Sequence, residues 1–184
     1  MLELPMDICD LFDCDPITNY AVSNNKSLIV SKVKTGGLHS FSDLELPISP
    51  QSMAGYAAHF KRIVKVNDVY EEAELQSYNP LLHFLREVDK RTGYHTKQML
   101  ITPLLDTQSG KLIGVIQLIN NRSWAPFAEV AKVGVKELCT TLAIAFTQRL
   151  KLSPIGTFIM TRWLSTPCCR RWNSSWARVP RRNP

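Results

Sequence analysis

The chain lacks any long apolar run. No stretch approaches the roughly 18 consecutive apolar residues that a membrane-spanning helix needs. The N-terminus is acidic and lacks the basic-then-apolar order of a signal peptide. With 184 residues, 45% of them hydrophobic and 21% charged, the composition is that of one soluble globular domain with some extra sequence.

A disulfide framework and a metal-binding motif are missing as well. The spacing of the five cysteines is irregular, so we expect a reducing, cytoplasmic location. They are Cys9, Cys14, Cys139, Cys168 and Cys169. The four histidines have neither close spacing nor paired cysteines, so we expect no metal site. They are His39, His59, His83 and His95.

The body of the chain has no surplus charge. Residues 1–150 carry 15 Lys+Arg and 16 Asp+Glu, a net charge of −1, whereas residues 151–184 carry seven basic residues and no acid. The overall charge of +6 is therefore the sum of −1 and +7. We expect no nucleic-acid binding by the folded domain, because it has no basic surplus to attract phosphate.

Residues 151–184 differ in character from the rest, so we divide the chain into a domain at 1–150 and a tail at 151–184. Arg interleaved with Trp in the tail is one pattern of a nucleic-acid-binding arm. We favour a disordered segment or an artefact of cloning or of a shifted reading frame, because no period of 2 or 3.6 survives there. The tryptophans in question are Trp163, Trp172 and Trp176.

The first third predicts a short helix followed by three strands. Residues 2–14 have a helical apolar face, and residues 17–23 and 27–34 are strand-like around an Asn24-Asn25 turn. A third strand is predicted at 44–48. A helix this short is marginal by itself, so we expect a longer natural N-terminus.

Two Pro-containing steps predict helix starts. Ser49-Pro50 offers a cap and a proline at the first helical position, and Asn79-Pro80 repeats that chemistry. Leu81, Leu82, Leu85 and Val88 are the predicted buried stripe of the second helix. Gly93 is its predicted left-handed end.

The last third predicts a hairpin and a long helix. Residues 98–105 and 111–120 are apolar on both faces, which is typical of central strands covered on both sides. Pro103 indicates a local bulge or sheet edge. The helix at 127–150 carries a narrow stripe typical of a helix–helix seam. The stripe consists of Ala131, Val135, Leu138, Leu142 and Ala145.

Three stretches carry a resemblance to a known family. They are PISPQSMAGYAAHFKRIVKVNDVY (47–70), RTGYHTKQMLITPLLD (91–106) and KLIGVIQLINNR (111–122). With the element order they resemble a GAF domain, a small-molecule-sensing module, over about residues 4–150. The resemblance implies an α+β fold with a central antiparallel sheet of about six strands, flanking helices and a long C-terminal helix.

Within that family, the sequences of the first two stretches are similar to those of the N-terminal regulatory GAF domains of bacterial type II/IV secretion-type ATPases. The chain itself has no phosphate-binding loop, because Leu105 stands where Gly110-Lys111 would need a glycine five residues upstream. Cyclic-nucleotide-binding members carry Asn-Lys, Phe and then Asp-Glu. Here Asn121-Arg122 and Phe127 are present, but Ala131 and Lys132 occupy the acidic positions, which argues against cyclic-nucleotide binding.

The resemblance implies a ligand pocket over the sheet. Its candidate residues are Ser52, Tyr56, Asp68, Thr92, Tyr94, Thr96 and Gln117. Gln117 stands between Val115 and Ile119 on one strand face, where it either points into a cavity or is satisfied by backbone or water. Corner packing is the alternative for Thr92 and Tyr94, and turn formation is the alternative for Asp68.

Three functions remain open at this level. The first is a non-catalytic sensor that couples an unidentified ligand to homodimerisation through the terminal helices or to an output domain. The second is an assembly module without a ligand. The third, a methionine-sulfoxide-reductase-like enzyme, is disfavoured because the expected hairpin thiols are absent; we therefore expect no catalytic activity. No cofactor is indicated.

Overall fold

A computed structural model describes residues 4–15, 17–34 and 41–152. The helices are α1 (Leu4–Leu11), α2 (Met53–Phe60), α3 (Glu72–Tyr78), α4 (Arg86–Thr92) and α5 (Glu129–Leu152). The strands are β1 (Ile17–Val22), β2 (Leu28–Lys34), β3 (Phe41–Pro47), β4 (Val64–Val66), β5 (Met99–Leu105) and β6 (Leu112–Ile119). The predicted Gly36-Gly37 hairpin end and the tail beyond residue 152 lie outside these residues.

The six strands form one antiparallel sheet in the order β3-β2-β1-β6-β5-β4. This confirms the predicted α+β fold with its long C-terminal helix. Strands β5 and β6 lie inside the sheet, and nearly all their residues are buried. None of the helices in the described part of the chain combines the length and the apolar character of a membrane-spanning segment.

The two faces of the sheet carry separate apolar clusters, because successive side chains of a strand point to opposite sides. On one face Val115 and Ile119 of β6 pack with residues of α2 and α3. We call this the α2 face. On the other, Ile116 and Leu118 pack with α1 and α5. We call this the α5 face.

Helix α2 begins three residues later than the Ser49-Pro50 prediction. Ser52 is the N-cap, because its extended backbone lets its Oγ accept from the Gly55 N–H at 3.2 Å. A Cβ on Gly55 would lie 2.5 Å from the Pro47 carbonyl oxygen. Glycine is therefore required where α2 crosses the end of β3.

The helix predicted from Asn79-Pro80 is wrong in position. Asn79 instead ends α3, a helix that the sequence reading missed, and α4 begins only at Arg86. Between them the chain pairs with the turn before α2, where His83 N–H donates to the Gln51 carbonyl at 3.0 Å. Leu81, predicted in the buried stripe, is 60% exposed. Gly93 does end α4 in the left-handed conformation, as predicted.

At Pro103, β5 is locally an edge strand, as predicted for a residue that has no backbone N–H to donate. The ladder between β4 and β5 ends at Ile101, so β4 no longer flanks β5 at Pro103. The register of β5 against β6 then shifts between Leu104 and Leu105. Both alternatives offered for this proline, an edge and a bulge, are thus present next to it.

The stripe on α5 packs on its own sheet. Val135 is fully buried against the α5 face, and Ala131, Leu138 and Leu142 are partly buried there, while Ala145 is exposed. The predicted helix–helix seam is therefore occupied within the monomer by the sheet and α1. Phe12, directly after α1, approaches so closely that a Cβ on Gly134 would lie 3.0 Å from its ring.

Candidate functional site

Gln117 lies on the α2 face, between Val115 and Ile119 as predicted. Its backbone is opposite Thr18 of β1 and Ile101 of β5. The side chain is 6% exposed. Among the described residues, the buried side-chain atoms without a hydrogen-bond partner are Asn19 Oδ1 and Thr102 Oγ1, so the Gln117 carboxamide is not one of them.

Two further polar side chains share this face and were missed by the sequence reading. Tyr20 of β1 and Ser31 of β2 are buried. Burial alone raises the pKa of Tyr20 above its ordinary value, so the hydroxyl keeps its proton at neutral pH. A period of two along β1 groups Thr18, Tyr20 and Val22, but the sequence does not say which helices cover that face.

Helix α2 brings Ser52 and Tyr56 over this face. Both are buried, and Tyr56 belongs to the apolar cluster. The hydroxyl of Tyr56 donates to the Tyr78 carbonyl at 3.4 Å, and the two rings meet edge to face at 6.1 Å between centroids. Both polar groups are therefore engaged, Ser52 Oγ as the helix cap and the Tyr56 hydroxyl as a donor.

Asp68 holds the corner after β4. Its Oδ1 accepts from the Tyr70 N–H at 2.9 Å, which makes an Asx turn. Glu74 accepts from the N–H groups of Asn67 and Asp68 at 2.9 and 3.0 Å. The Asp68 carboxylate thus orders the entry to α3.

Thr96 is tied to a buried carboxylate. Asp89 of α4 accepts from the Thr96 N–H and hydroxyl, both at 2.7 Å, and from the Tyr70 hydroxyl at 2.9 Å. Burial, followed by the Asp89 carboxylate, raises the pKa of Tyr70. This cluster fixes the corner between α4 and β5. Thr92 lies in the last turn of α4, and its side chain is outside the described part of the structure.

Tyr94 joins that corner to the start of β1. Its ring packs on the α2 face, and its hydroxyl donates to Asp15 Oδ2 at 3.1 Å. Burial and then Asp15 raise its pKa. The same hydroxyl accepts from Asn120 Nδ2 at 2.9 Å.

The side chain of Asn120 bonds Tyr94 and three backbone groups at this corner. Asn120 was not singled out from the sequence. Its Nδ2 also donates to the His95 carbonyl at 2.8 Å. Its Oδ1 accepts from the N–H groups of Lys97 and Gln98 at 2.7 and 2.9 Å. The residue is 2% exposed with φ of 45°, a left-handed conformation that asparagine tolerates. The signal that could have identified Asn120 from the sequence is its position at the end of the predicted strand 111–120.

Arg122 pairs with the N-terminal helix. Its guanidinium lies 2.7 Å from Asp10 Oδ1, and that hydrogen bond is the main cause of its raised pKa. The acidic positions of the cyclic-nucleotide motif remain Ala131 and Lys132, and Lys132 pairs with Glu129 at 3.6 Å. Arg122 therefore has a carboxylate partner on α1 instead of on α5.

The described cysteines lie away from the α2 face. Cys9, Cys14 and Cys139 form no disulfide among the described residues and are buried in the cluster on the α5 face. Burial raises the pKa of Cys139 to about 12, which disfavours the nucleophilic thiolate. Within the described residues, no group of three or more His, Cys, Asp or Glu side chains could hold a metal ion.

An antiparallel sheet with helices α1 and α5 on one side and α2 to α4 on the other defines an α+β domain with both sheet faces covered. The model of the GAF domain family matches residues 7–146, and the chain belongs to this family. GAF domains are regulatory modules that bind small molecules such as cyclic nucleotides.

Comparisons with individual proteins agree with this assignment. A dual 3′,5′-cyclic-AMP and -GMP phosphodiesterase 11A from Takifugu rubripes is 31% identical over 124 residues, which cover 63% of this chain and 13% of that protein. The chain therefore spans about an eighth of the length of this relative.

Two solved structures show the same fold. The GAF domain of an Acinetobacter phosphoenolpyruvate-protein phosphotransferase superposes with a TM-score of 0.60 at 15% identity, covering 83% of this chain and 82% of that one. The free methionine-R-sulfoxide reductase from Neisseria meningitidis, in complex with its substrate, gives a TM-score of 0.56 at 18% identity, with 81% and 77% covered.

Proposed function

We propose that this domain is a non-catalytic sensor that binds a small molecule on the α2 face and transmits its presence to α1. The observation that carries the proposal is the contact from Asn120 through Tyr94 to Asp15. It joins the corner that borders the α2 face to the segment leading out of α1. A ligand that orders this corner would thus bias the packing of the terminal helices.

The candidate residues divide by role within this proposal. Gln117 supplies a polar group toward the ligand, and so does Tyr56, whose hydroxyl donates to the Tyr78 carbonyl and can still accept a hydrogen bond. Thr96, Tyr94 and Asp68 are positioning residues, because their side chains already bond protein groups that hold the corners. Ser52 and Thr92 stay predicted ligand contacts.

Transmission requires the ligand to prefer one arrangement of the α4–β5 corner. A ligand shifts an equilibrium only by its differential affinity for the two states. The Arg122–Asp10 pair gives a second contact between the end of β6 and α1. The first contact ends at Asp15, between α1 and β1, and the second ends at Asp10 within α1. Displacement of Asn120 would therefore alter the packing at the end of α1.

A screen by thermal shift tests binding, and hydrogen exchange tests transmission. Cyclic AMP and cyclic GMP lead the panel because the curated relative is named for them, followed by nucleosides and common metabolites. We expect one compound to raise the Tm and to slow exchange in both residues 86–98 and residues 4–15. Slowing at 86–98 alone would contradict transmission, and no stabilisation by any compound would contradict the sensor.

A second candidate is an assembly module that dimerises its parent protein. The observation in its favour is a set of exposed apolar residues on α5, namely Val130, Val133 and Ile144, with Leu11 exposed on α1. A tight dimer in light scattering together with an empty ligand screen would favour this reading. The predicted homodimer belongs to both candidates.

A reductase of the methionine-sulfoxide class is the weakest candidate. Its only support is the shared fold, since the described cysteines lie on the α5 face and the candidate pocket on the other. Support for a reductase would require that the protein reduces methionine sulfoxide and that this activity is lost when the described cysteines are replaced together. The substitutions are Cys9→Ala, Cys14→Ala and Cys139→Ala.

The parent protein also stays a proposal. The sequence resemblance favours a secretion-type ATPase, whereas the curated relative is a phosphodiesterase. Reading the gene beyond codon 150 in all frames decides between these and tests the nature of the tail. The cytoplasmic location stays a prediction from the cysteine pattern.

A further inference from the structure

Helix α1 ends in a turn that brings two cysteines together. The Cys14 N–H donates to the Cys9 carbonyl at 3.0 Å, and Asp13 just before Cys14 is left-handed, with φ of 51°. This is the 6→1 hydrogen bond of a Schellman helix end, in which the side chains at the two bonded positions commonly touch. The turn therefore folds Cys14 back onto the last part of α1.

The spacing of Cys9 and Cys14 permits a disulfide bond. With standard bond lengths, a 3.0 Å hydrogen bond between these two groups keeps their Cα atoms within about 7 Å of each other. Cα atoms separated by more than about 7 Å cannot be bridged, so this pair is in range. Both side chains also belong to the buried cluster on the α5 face. The backbone therefore already holds the pair in a position from which a disulfide can form.

Arg122 places a positive charge beside this pair. Its backbone N–H donates to the Asp13 carbonyl at 2.8 Å, and its guanidinium lies 2.7 Å from Asp10 Oδ1. The hydrogen bond from Asp10 is the main cause of the raised pKa of Arg122, and the charge of an ionised Cys9 or Cys14 acts in the same direction. A cation thus stands close to the sulfur atoms on which negative charge develops during thiol–disulfide exchange.

The two cysteines lie under a segment that can open locally. Cys9 is 2% exposed and Cys14 is 0% exposed, whereas Leu11 between them is 69% exposed. Helix α1 has eight residues, a length that is marginal without tertiary packing. Opening α1 therefore costs less than opening the sheet, and it exposes both thiols to a small reagent.

Cys139 lies in the same cluster and provides a comparison. It is carried by α5, in the middle of a 24-residue helix. Burial raises its pKa to about 12, so its thiol stays protonated at neutral pH and is a poor nucleophile. The cluster therefore contains one cysteine pair joined by a helix-end turn and one cysteine outside that turn.

We propose that Cys9 and Cys14 are a redox-active dithiol, which a low-molecular-weight disulfide such as oxidised glutathione converts to an intramolecular disulfide. One cysteine loses its proton to water and attacks a glutathione sulfur; a mixed disulfide forms and one glutathione thiolate leaves. The other cysteine then loses its proton and attacks the protein sulfur of that mixed disulfide. The Cys9–Cys14 bond forms, and the second glutathione thiolate leaves. Two protein thiols are oxidised while one oxidised glutathione becomes two reduced ones.

The disulfide would fasten α1 to the start of β1. Cys14 directly precedes Asp15, whose carboxylate accepts from Tyr94. Oxidation would therefore hold α1 in its packed position without any ligand on the α2 face, so this inference goes beyond the proposed sensor function. A disulfide that follows the glutathione balance suits a reducing compartment, where the cysteine pattern predicts this protein.

The first test identifies the bond by mass spectrometry. All proteins carry Cys168→Ser and Cys169→Ser, so that the thiols of the tail do not compete. After treatment with oxidised glutathione, remaining thiols are alkylated and the denatured, unreduced chain is cleaved before each aspartate. This cleavage separates residues 7–9 from residues 13–14, and we expect these two peptides to be joined.

Single substitutions separate the pair from Cys139. Cys9→Ala and Cys14→Ala should stop at the mixed disulfide and gain one glutathione, whereas the control Cys139→Ala should still form the bond between 7–9 and 13–14. A disulfide to Cys139 or to a second chain would overturn the proposal. So would reference protein that keeps both thiols reduced, or stays at the mixed disulfide, in excess oxidised glutathione.

The last test measures the effect on α1. Oxidation should raise the Tm by about 2–6 °C and slow hydrogen exchange in residues 4–15 by about tenfold or more. Excess reduced glutathione should reverse both changes, and Cys139→Ala should show them in full. Cys14→Ala should show neither change, which separates the disulfide from unspecific oxidation. Faster exchange in residues 4–15 after oxidation would mean that the bond distorts the helix end, contrary to the proposal.

Discussion

The amide of Asn120 and the hydroxyl of Tyr94 lie 2.9 Å apart, and this contact connects two parts of the chain that are distant in sequence. Asn120 directly follows β6, whereas Tyr94 follows α4. Through Tyr94 the contact reaches Asp15 at the start of β1. The corner beside the candidate pocket and the exit from α1 therefore share one buried asparagine.

Asn120→Ala should lower the free energy of unfolding by about 2–4 kcal/mol, because it leaves the buried N–H groups of Lys97 and Gln98 without an acceptor. Urea unfolding measures the loss. Asn67→Ala is the control, since the exposed Asn67 Nδ2 bonds the half-buried Glu74 and its loss should cost under about 1 kcal/mol. Equal losses of unfolding free energy in the two variants would mean that Asn120 contributes no more to stability than Asn67.

Two buried threonines should respond in opposite ways to the same substitution. Thr96→Val removes a 2.7 Å hydrogen bond to the Asp89 carboxylate and should cost about 1.5–3 kcal/mol. Thr102→Val should be neutral or stabilising, because the Thr102 hydroxyl is buried on the α5 face without a partner. Chemical unfolding of both variants checks the contrast, and a destabilised Thr102→Val protein would reveal a partner for that hydroxyl.

Leu138→Asp and Val133→Asp separate folding from self-association. Leu138 packs on the α5 face, so a carboxylate there should destabilise the fold by about 2–4 kcal/mol. Val133 is 59% exposed on the same helix, so Val133→Asp should keep the monomer fold and weaken only a dimer. Light scattering and thermal unfolding report the two effects; a dimeric Val133→Asp protein would place any interface elsewhere.

Stability should fall in alkali from about pH 9 upward. The Cys139 pKa is raised from 9.0 to about 12, and the pKa values of Tyr20 and Tyr94 are also raised. At alkaline pH the folded state therefore binds more protons than the unfolded state. The slope of unfolding free energy against pH is then negative, about 1.4 kcal/mol per pH unit for each proton.

Unfolding free energies at neutral and alkaline pH measure this slope. Tyr20→Phe removes one of the three groups and should make the loss above about pH 10 less steep. A slope unchanged by that substitution would mean that Tyr20 ionises as readily in the folded protein as in the unfolded chain.

Much of the fold was readable from local patterns. The hairpin of β5 and β6 follows from two continuous apolar runs around a turn, and the long α5 follows from helical spacing; both signals act over a few residues. Gly93 was predicted correctly for the same reason, since a left-handed helix end is a local property of glycine.

The helix starts were predicted less well because competing local signals are resolved by distant contacts. Ser49-Pro50 and Ser52 both offer α2 a start, and the close packing of Gly55 on Pro47 accompanies the one at Ser52. Asn79-Pro80 offered another start, but the following residues pair with the turn before α2. Propensity is a weak prior that tertiary contacts override.

The candidate site shows the same division between features that depend on local sequence and features that depend on distant contacts. The sequence by itself determined the strands, their alternating faces and the position of Gln117 between two apolar residues, because these depend on neighbours along the chain. The tertiary structure decided that Tyr20 and Ser31 lie beside Gln117, that Thr96 and Tyr94 are bonded at a corner, and that Asn120 meets both Tyr94 and the Asp15 segment. Those contacts join residues far apart in sequence, and which strand pairs with which is fixed only when the sheet buries both of its faces.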